Sequence, residues 1–314
     1  MWSPDGKWFA YAIGHSGTAN TSLEVMNLEG DRKTIFTTES EAIRHQPIWS
    51  PDGGKIAVMV FGGPPSVLAV AVIDVAGQKL QARYKLPTTT ADPATKLNKF
   101  RWSPDGQKIL LSWNTAVVID TVTGGIERVA DQRILPEWAP GSDAVYYFDL
   151  KDSVPMLPPS NLGDFYLKKL APISVTRVMD RKGIEALGLT GMLTRGFMAL
   201  SPKGSKLVVA GSSTLTEGGK AKAAGVVHIY DLSEQRTVIL DKPSKSFRTE
   251  DLIMALDWAP DESSLAAVAV AKDISIKLLD LTTGAWRSLA TVANDEYVGS
   301  LYFMGPLKTM SWTQ

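Results

Sequence analysis

Apolar residues along this chain come in short runs, each bounded by turn-forming residues. Lys55-Ile-Ala-Val-Met-Val60, Lys108-Ile-Leu-Leu-Ser112 and Lys206-Leu-Val-Val-Ala210 each read as a β-strand. The longest run, Val67-Leu-Ala-Val-Ala-Val-Ile73, reads as a buried strand and falls far short of the ~20 apolar residues that span a bilayer. Ahead of the first two strands stands one five-residue turn, Trp49-Ser-Pro-Asp-Gly53 and Trp102-Ser-Pro-Asp-Gly106, and ahead of the third its variant Leu200-Ser-Pro-Lys-Gly204. Proline presets φ near −65° for the first corner. Aspartate bonds back to nearby backbone N–H groups, and glycine takes the positive φ that closes the turn. This is hairpin chemistry.

The same turn appears as Trp2-Ser-Pro-Asp-Gly6, and in degenerate form as Trp138-Ala-Pro-Gly-Ser142 and Trp258-Ala-Pro-Asp-Glu262, with a last trace at Phe303-Met-Gly-Pro306. The spacing averages about 50 residues, within the range of propeller blades. A second pair of strands follows each turn. Val117-Val-Ile-Asp120 passes through Thr121-Val-Thr-Gly124 into Ile126-Glu-Arg-Val129, and Ile276-Lys-Leu-Leu-Asp280 through Leu281-Thr-Thr-Gly284 into Trp286-Arg-Ser-Leu289. Four strands per repeat make the blade of a β-propeller. The motif tryptophan is expected to fill the gap between neighbouring blades, and the aspartate to cap its turn.

These repeats resemble the WD-like propeller repeats of the TolB family and of the propeller domains of prolyl-oligopeptidase-type peptidases, over nearly the whole chain. The resemblance implies an all-β fold, one β-propeller domain over residues 1–314. It also implies a periplasmic or extracellular setting, which nothing else in the sequence addresses. Strand arithmetic predicts six four-stranded blades at about 1–43 with 299–303, 44–96, 97–131, 132–193, 194–250 and 251–298. Gly299–Phe303 would return to the first blade and close the ring, removing exposed sheet edges. Because Leu307–Trp312 is then surplus, a seven-bladed ring or a fragment of a longer parent is the alternative.

Charge narrows the functions. Lys and Arg number 33 against 33 Asp and Glu, which removes a broad electrostatic case for nucleic acid or an anionic membrane. Absence of cysteine excludes disulfides, thiol catalysis and Cys-containing metal sites. Met1–Gly6 has neither the basic nor the apolar region of a signal peptide, so the protein stays inside or its numbering begins after one was removed.

Both turn types lie on one face and are short. The long connections gather opposite: Gly14–Asn20, Gly62–Ser66, Pro87–Lys96, Lys151–Asp164, Lys182–Thr194, Ser212–Ala224 and Asp241–Asp251. Binding residues favour loops on a rigid scaffold, so this face and the channel beneath it are the expected site. Five residues before the motifs stand Arg44, Leu97, Arg133, Arg195, Ile253 and Val298. Arg44, Arg133 and Arg195 in register would suit a carboxylate, a phosphate or an acidic peptide at the channel mouth. Alternatively, each pairs with a loop carboxylate such as Glu41, Asp131 or Glu250. His45 beside Arg44 joins the candidate site, as do Met156 and Leu157 in the largest insertion, which offer apolar anchorage to a partner or fold over their own channel. His228 falls on a third strand and reads as packed.

No Gly-x-Ser-x-Gly elbow, P-loop or EF-hand run is present. No catalytic residue, metal or cofactor is therefore assigned. The function that follows is a non-catalytic scaffold for a protein or peptide partner. Its rivals are the gating propeller of a prolyl-oligopeptidase-type peptidase and a metal-dependent propeller hydrolase, for which Glu137, Asp257 and Glu296 are the nearest acidic residues.

Overall fold

The computed structural model describes residues 1–14, 20–62, 67–87, 99–113, 115–132, 134–150, 162–189, 197–217, 220–232, 242–271 and 273–292. They build six antiparallel meander sheets. The first holds β1 (Trp8–Gly14), β2 (Thr21–Asn27) and β3 (Arg32–Thr37), and the second β4 (Glu41–Ile43), β5 (Ile48–Trp49), β6 (Lys55–Gly62), β7 (Val67–Asp74) and β8 (Lys79–Lys85). The third holds β9 (Lys99–Trp102), β10 (Lys108–Ser112), β11 (Ala116–Asp120) and β12 (Ile126–Ala130). The fourth holds β13 (Ile134–Trp138), β14 (Ala144–Leu150), β15 (Leu162–Leu170) and β16 (Ile173–Met179), and a helix α1 (Arg181–Ala186) follows it. The fifth holds β17 (Phe197–Leu200), β18 (Lys206–Glu217), β19 (Lys220–Asp231) and β20 (Lys245–Thr249). The sixth holds β21 (Leu252–Trp258), β22 (Ser264–Val270), β23 (Ile274–Asp280) and β24 (Trp286–Val292). Contacts divide the chain after Asp131 into two compact units, sheets one to three and sheets four to six.

Within the first unit the sheets pack face to face. Ile56, Val58 and Val60 of β6, with Ala69, Ala71 and Ile73 of β7, meet Leu23 and Val25 of the first sheet. The intervening residues Ala57, Met59, Leu68, Val70 and Val72 meet Ile109, Leu111, Val117 and Ile119 of the third. Both faces of β6 and β7 are thus buried, and their sequences are apolar without alternation for that reason. Each such Val, Leu or Ile contributes about 1.5–3 kcal/mol by leaving water. The second unit repeats the scheme, Leu207 and Val209 of β18 facing the fourth sheet and Val208 and Ala210 the sixth. The last strands, by contrast, are largely exposed: β3, β8, β12, β16 and β20 carry most of the solvent-facing positions of their sheets.

The turn chemistry matches its sequence reading. In the second sheet Ser50 Oγ donates to Asp52 and accepts from Lys55 N (2.9 Å), while Gly54 N donates to Asp52 (3.0 Å). Ser3 with Asp5 and Ser103 with Asp105 repeat the pattern. These hydrogen bonds hold the Asp5 and Asp52 carboxyls below their ordinary range, the serine bond being the largest cause. The tryptophans bridge neighbouring sheets: Trp49 Nε1 donates to Met1 O (3.0 Å), Trp102 Nε1 to Ile48 O (3.3 Å) and Trp258 Nε1 to Ala199 O (3.0 Å).

Three features depart from the sequence reading. Ser212–Ala224, taken for a loop, continues β18 and β19 as a hairpin paired from Lys206↔Asp231 out to Glu217↔Lys220. The polar Ser, Thr and Lys residues there concealed a strand whose connection, Gly218-Gly219, is a favoured hairpin dipeptide. Lys182–Thr194 contains most of α1, capped by Asp180 accepting from Gly183 N (3.0 Å). Asp241–Asp251 contains β20. At the other end, Trp2 bridges Phe9 and Met1 O accepts from Ala10 N, so these two residues lie where a first strand would pair with β1. The predicted return of Gly299–Phe303 lies outside the described residues.

Candidate ligand-binding site

The first strand of the second sheet is broken where sequence reading placed its site. Ile43 pairs with Val60 and Ile48 with Ala57, so four residues, Arg44–Pro47, stand opposite two, Val58 and Met59. Proline has no N–H to give the ladder, and Pro47 sits at this interruption. Only Arg44 N keeps a ladder bond, to Met59 O (3.0 Å). The extra residues push Arg44 and Gln46 into solvent, leave His45 half-buried and bury Pro47.

Gly62 makes the approach of β4 possible. Its φ is +143°, and a Cβ there would lie 2.7 Å from Ser40 O and 3.0 Å from Glu41 Cα. Any side chain would drive β4 off β6. Glu41 then faces Arg83 of β8, whose guanidinium grips it with both Nη groups. This bidentate bond raises the arginine's pKa further.

That pair answers one sequence-based alternative. Glu41 is held by Arg83, not Arg44, and the Arg44 guanidinium lies 5.7 Å from the Phe61 ring centroid. His45 meets the edge of Phe100 in the third sheet (centroids 6.0 Å apart, 87° between planes). The second sheet thereby presents an exposed cation on an aromatic shelf beside a histidine, with a neighbouring carboxylate already neutralised. Such an arrangement accepts an anion and offers an apolar wall to whatever carries it.

Asp131 pairs with Arg128 (2.6 Å). Arg133, Arg195, Met156 and Leu157 lie outside the described residues, so of the predicted arginine cluster the structure describes Arg44. Ile253, at the corresponding place in the sixth sheet, is buried. Glu137 is buried and accepts from Trp138 N (2.9 Å), and Asp257 accepts from Trp258 N (3.0 Å). Among the described residues, no three His, Asp or Glu side chains cluster as a metal site would require.

Two features escaped sequence reading. A cleft of about 460 Å³ in the first unit is lined by Lys85, Leu86, Pro87, Val117, Ile126 and Arg128. In the second unit Asp164 accepts from Arg181 N (2.9 Å) and Tyr166 Oη (3.2 Å), anchoring α1 to β15. Neither belongs to a local motif; only strand pairing brings these residues together.

No protein-family model and no curated protein matches the sequence. The structure, however, resembles solved ones. An uncharacterized protein from Listeria monocytogenes EGD-e aligns over 93% of this chain and 82% of its own, at 14% identity and a TM-score of 0.61. The β-propeller domain of the trilobed protease from Pyrococcus furiosus, described as having an open velcro topology, aligns over 91% and 82%, at 15% identity and 0.59. A chain of a mitotic checkpoint complex aligns over 93% and 78%, at 12% identity and 0.54. At such identities the likeness carries the fold alone, and that fold is a β-propeller scaffold.

Proposed function

We propose that this chain is a non-catalytic propeller of the TolB-like kind that binds a protein or peptide partner through its long-loop face, with Arg44 and His45 receiving an acidic group. One observation carries the reading. Arg44 is pushed out of a broken strand onto the Phe61 ring while the nearby Glu41 is taken by Arg83. An arginine placed on an aromatic surface is a common anchor of protein interfaces. Met156 and Leu157 would add apolar contact, and Arg133 and Arg195 further positive charge.

Selection of a random peptide library on the wild type should enrich acidic sequences. The best of them, followed by fluorescence anisotropy, should bind Arg44→Glu about tenfold or more weakly, a loss of at least about 1.4 kcal/mol. Failure to enrich any acidic sequence, or equal affinity for both proteins, would overturn the assignment.

The likeness to the propeller domain of a protease favours a second reading, in which this propeller serves a peptidase. Cleavage of fluorogenic oligopeptides by the protein expressed from its native gene, abolished by a serine-hydrolase inhibitor, would support that reading; complete inertness counts against it.

A further inference from the structure

The last strand of each sheet leaves a row of backbone N–H and C=O groups without a strand partner among the described residues. An edge of this kind templates pairing with another strand unless charge, proline or a bulge protects it. Most of these edges carry such charge: Arg32 and Lys33 on β3, Lys79, Arg83 and Lys85 on β8, Glu127 and Arg128 on β12, Lys245 and Arg248 on β20. The edge of β16 differs. Its sequence, Ile173-Ser-Val-Thr-Arg-Val-Met179, is mostly β-branched, and Ile173 and Val175 are 68% and 54% exposed on one face. Its one charge, Arg177, is tied back to Asp164 at 3.5 Å. Helix α1, which follows directly, packs over β15, and Ser174 and Thr176 stay exposed.

We propose that two copies of this chain pair edge to edge through β16, antiparallel and centred on Thr176. In that register Ile173 faces Met179 of the second copy, Ser174 faces Val178, Val175 faces Arg177, and Thr176 faces Thr176 across the two-fold axis. No like charges meet, and the exposed Ile173 and Val175 join their copies in one apolar row. The same operation on β8 would set Lys79 against Lys85, and on β12 Arg128 against Arg128, both opposed by cross-strand repulsion. Self-complementarity is what a two-fold interface requires, and among these three edges β16 alone has it.

Sedimentation equilibrium of the full chain tests the pairing. The wild type should shift from monomer to dimer between low and high micromolar concentration. Thr176→Lys and Thr176→Glu each place like charges at the axis and should both sediment as monomers. An equimolar mixture of the two variants should recover the dimer, because lysine then faces glutamate. Thr176 is exposed, so both variants should melt with the wild type; Thr176→Arg replaces Thr176→Lys should the latter melt early. A monomeric wild type overturns the pairing, even where β16 captures an added peptide instead. Variants that dimerise alone, or a mixture that stays monomeric, overturn the register.

Discussion

The two units solve the same turn in different ways. In the first, each Ser-Pro-Asp-Gly turn holds its own carboxylate, and Asp5, Asp52 and Asp105 each accept from the serine two residues before and an N–H two residues after. In the second unit the turn of the fifth sheet has Lys203 where aspartate would stand, and the carboxylate comes from the next sheet. Glu262 accepts from Lys203 N (2.7 Å) and Ser205 Oγ (2.6 Å) and pairs with Lys206 Nζ (3.2 Å). It occupies the glycine position of its own turn at φ +64° and is 5% exposed. The geometry for this reach exists throughout the fold. A Cβ on Gly53 would lie 3.7 Å from Pro4, and one on Gly106 3.4 Å from Pro51, so the glycine position always abuts the preceding turn. The turn requires an acceptor at a place in space; the chain position that supplies it is free to change.

The tryptophan bridges should be the costliest part to break. Trp258 is 4% exposed in the core between the fifth and sixth sheets, where its Nε1 also satisfies Ala199 O. Trp258→Ala should lower unfolding free energy by about 3–5 kcal/mol in urea denaturation. Trp258→Phe keeps most of the ring and should lose mainly the hydrogen bond, about 1 kcal/mol. Equal losses for the two would show that the bond, not the packing, joins the sheets.

Replacing Glu262 sharpens the contrast between units. Glu262→Gly removes the strained φ but strands Lys203 N and Ser205 Oγ, and should cost about 2 kcal/mol. Lys203→Asp alone sets a second carboxylate against Glu262 and should also destabilise. Together the two substitutions write the first unit's pattern into the fifth sheet, and most of the loss should return. Strict additivity in urea denaturation would refute the shared-acceptor account. Acid provides a further check. Burial alone would raise the Glu262 pKa, but bonds from Ser205, Ser201, Lys203 and Lys206 outweigh it and hold the carboxyl below its ordinary 4.5. Its contribution is therefore present above pH 4.5 and lost as pH falls through the lower folded value. Glu262→Gly should show a shallower acid limb than the wild type.

Much of this was legible in the sequence, because Ser-Pro-Asp-Gly turns and tryptophans act locally or on the adjacent repeat. Glu262 was not. At a glycine position it reads as decay of the motif, and its partners lie 56 to 59 residues away. The break at Arg44–Pro47 had one visible signal, Pro47 two residues before Trp49, but proline is also common where a strand begins. The pairing of Arg83 with Glu41 depends on strand packing that no spacing reveals. Exposure of the β16 edge likewise emerges only once α1 is seen to pack elsewhere.

The smallest expected effect concerns a feature of the second unit, the helix held to the fifth sheet by a buried histidine. His228 of β19 donates through Nε2 to Leu187 O (2.9 Å), just beyond α1, and accepts at Nδ1 from Ser246 Oγ (2.8 Å). These partners fix the neutral tautomer with its proton on Nε2. Burial lowers the His228 pKa below 6.5; the bond to Leu187 O opposes that shift, and Arg248 adds to it. With the folded value depressed, the unfolded chain takes up its proton first as pH falls. Stability is thus complete above pH 6.5 and declines as pH drops toward the folded value. Melting temperature should fall from pH 7 to pH 5 in the wild type and stay nearly level in His228→Gln. Limited proteolysis at pH 5 should cut first near α1, where the Leu187 bond is strained, while β6 and β7 remain protected. Parallel melting curves for the two proteins would mean that His228 packs the helix without linking it to pH.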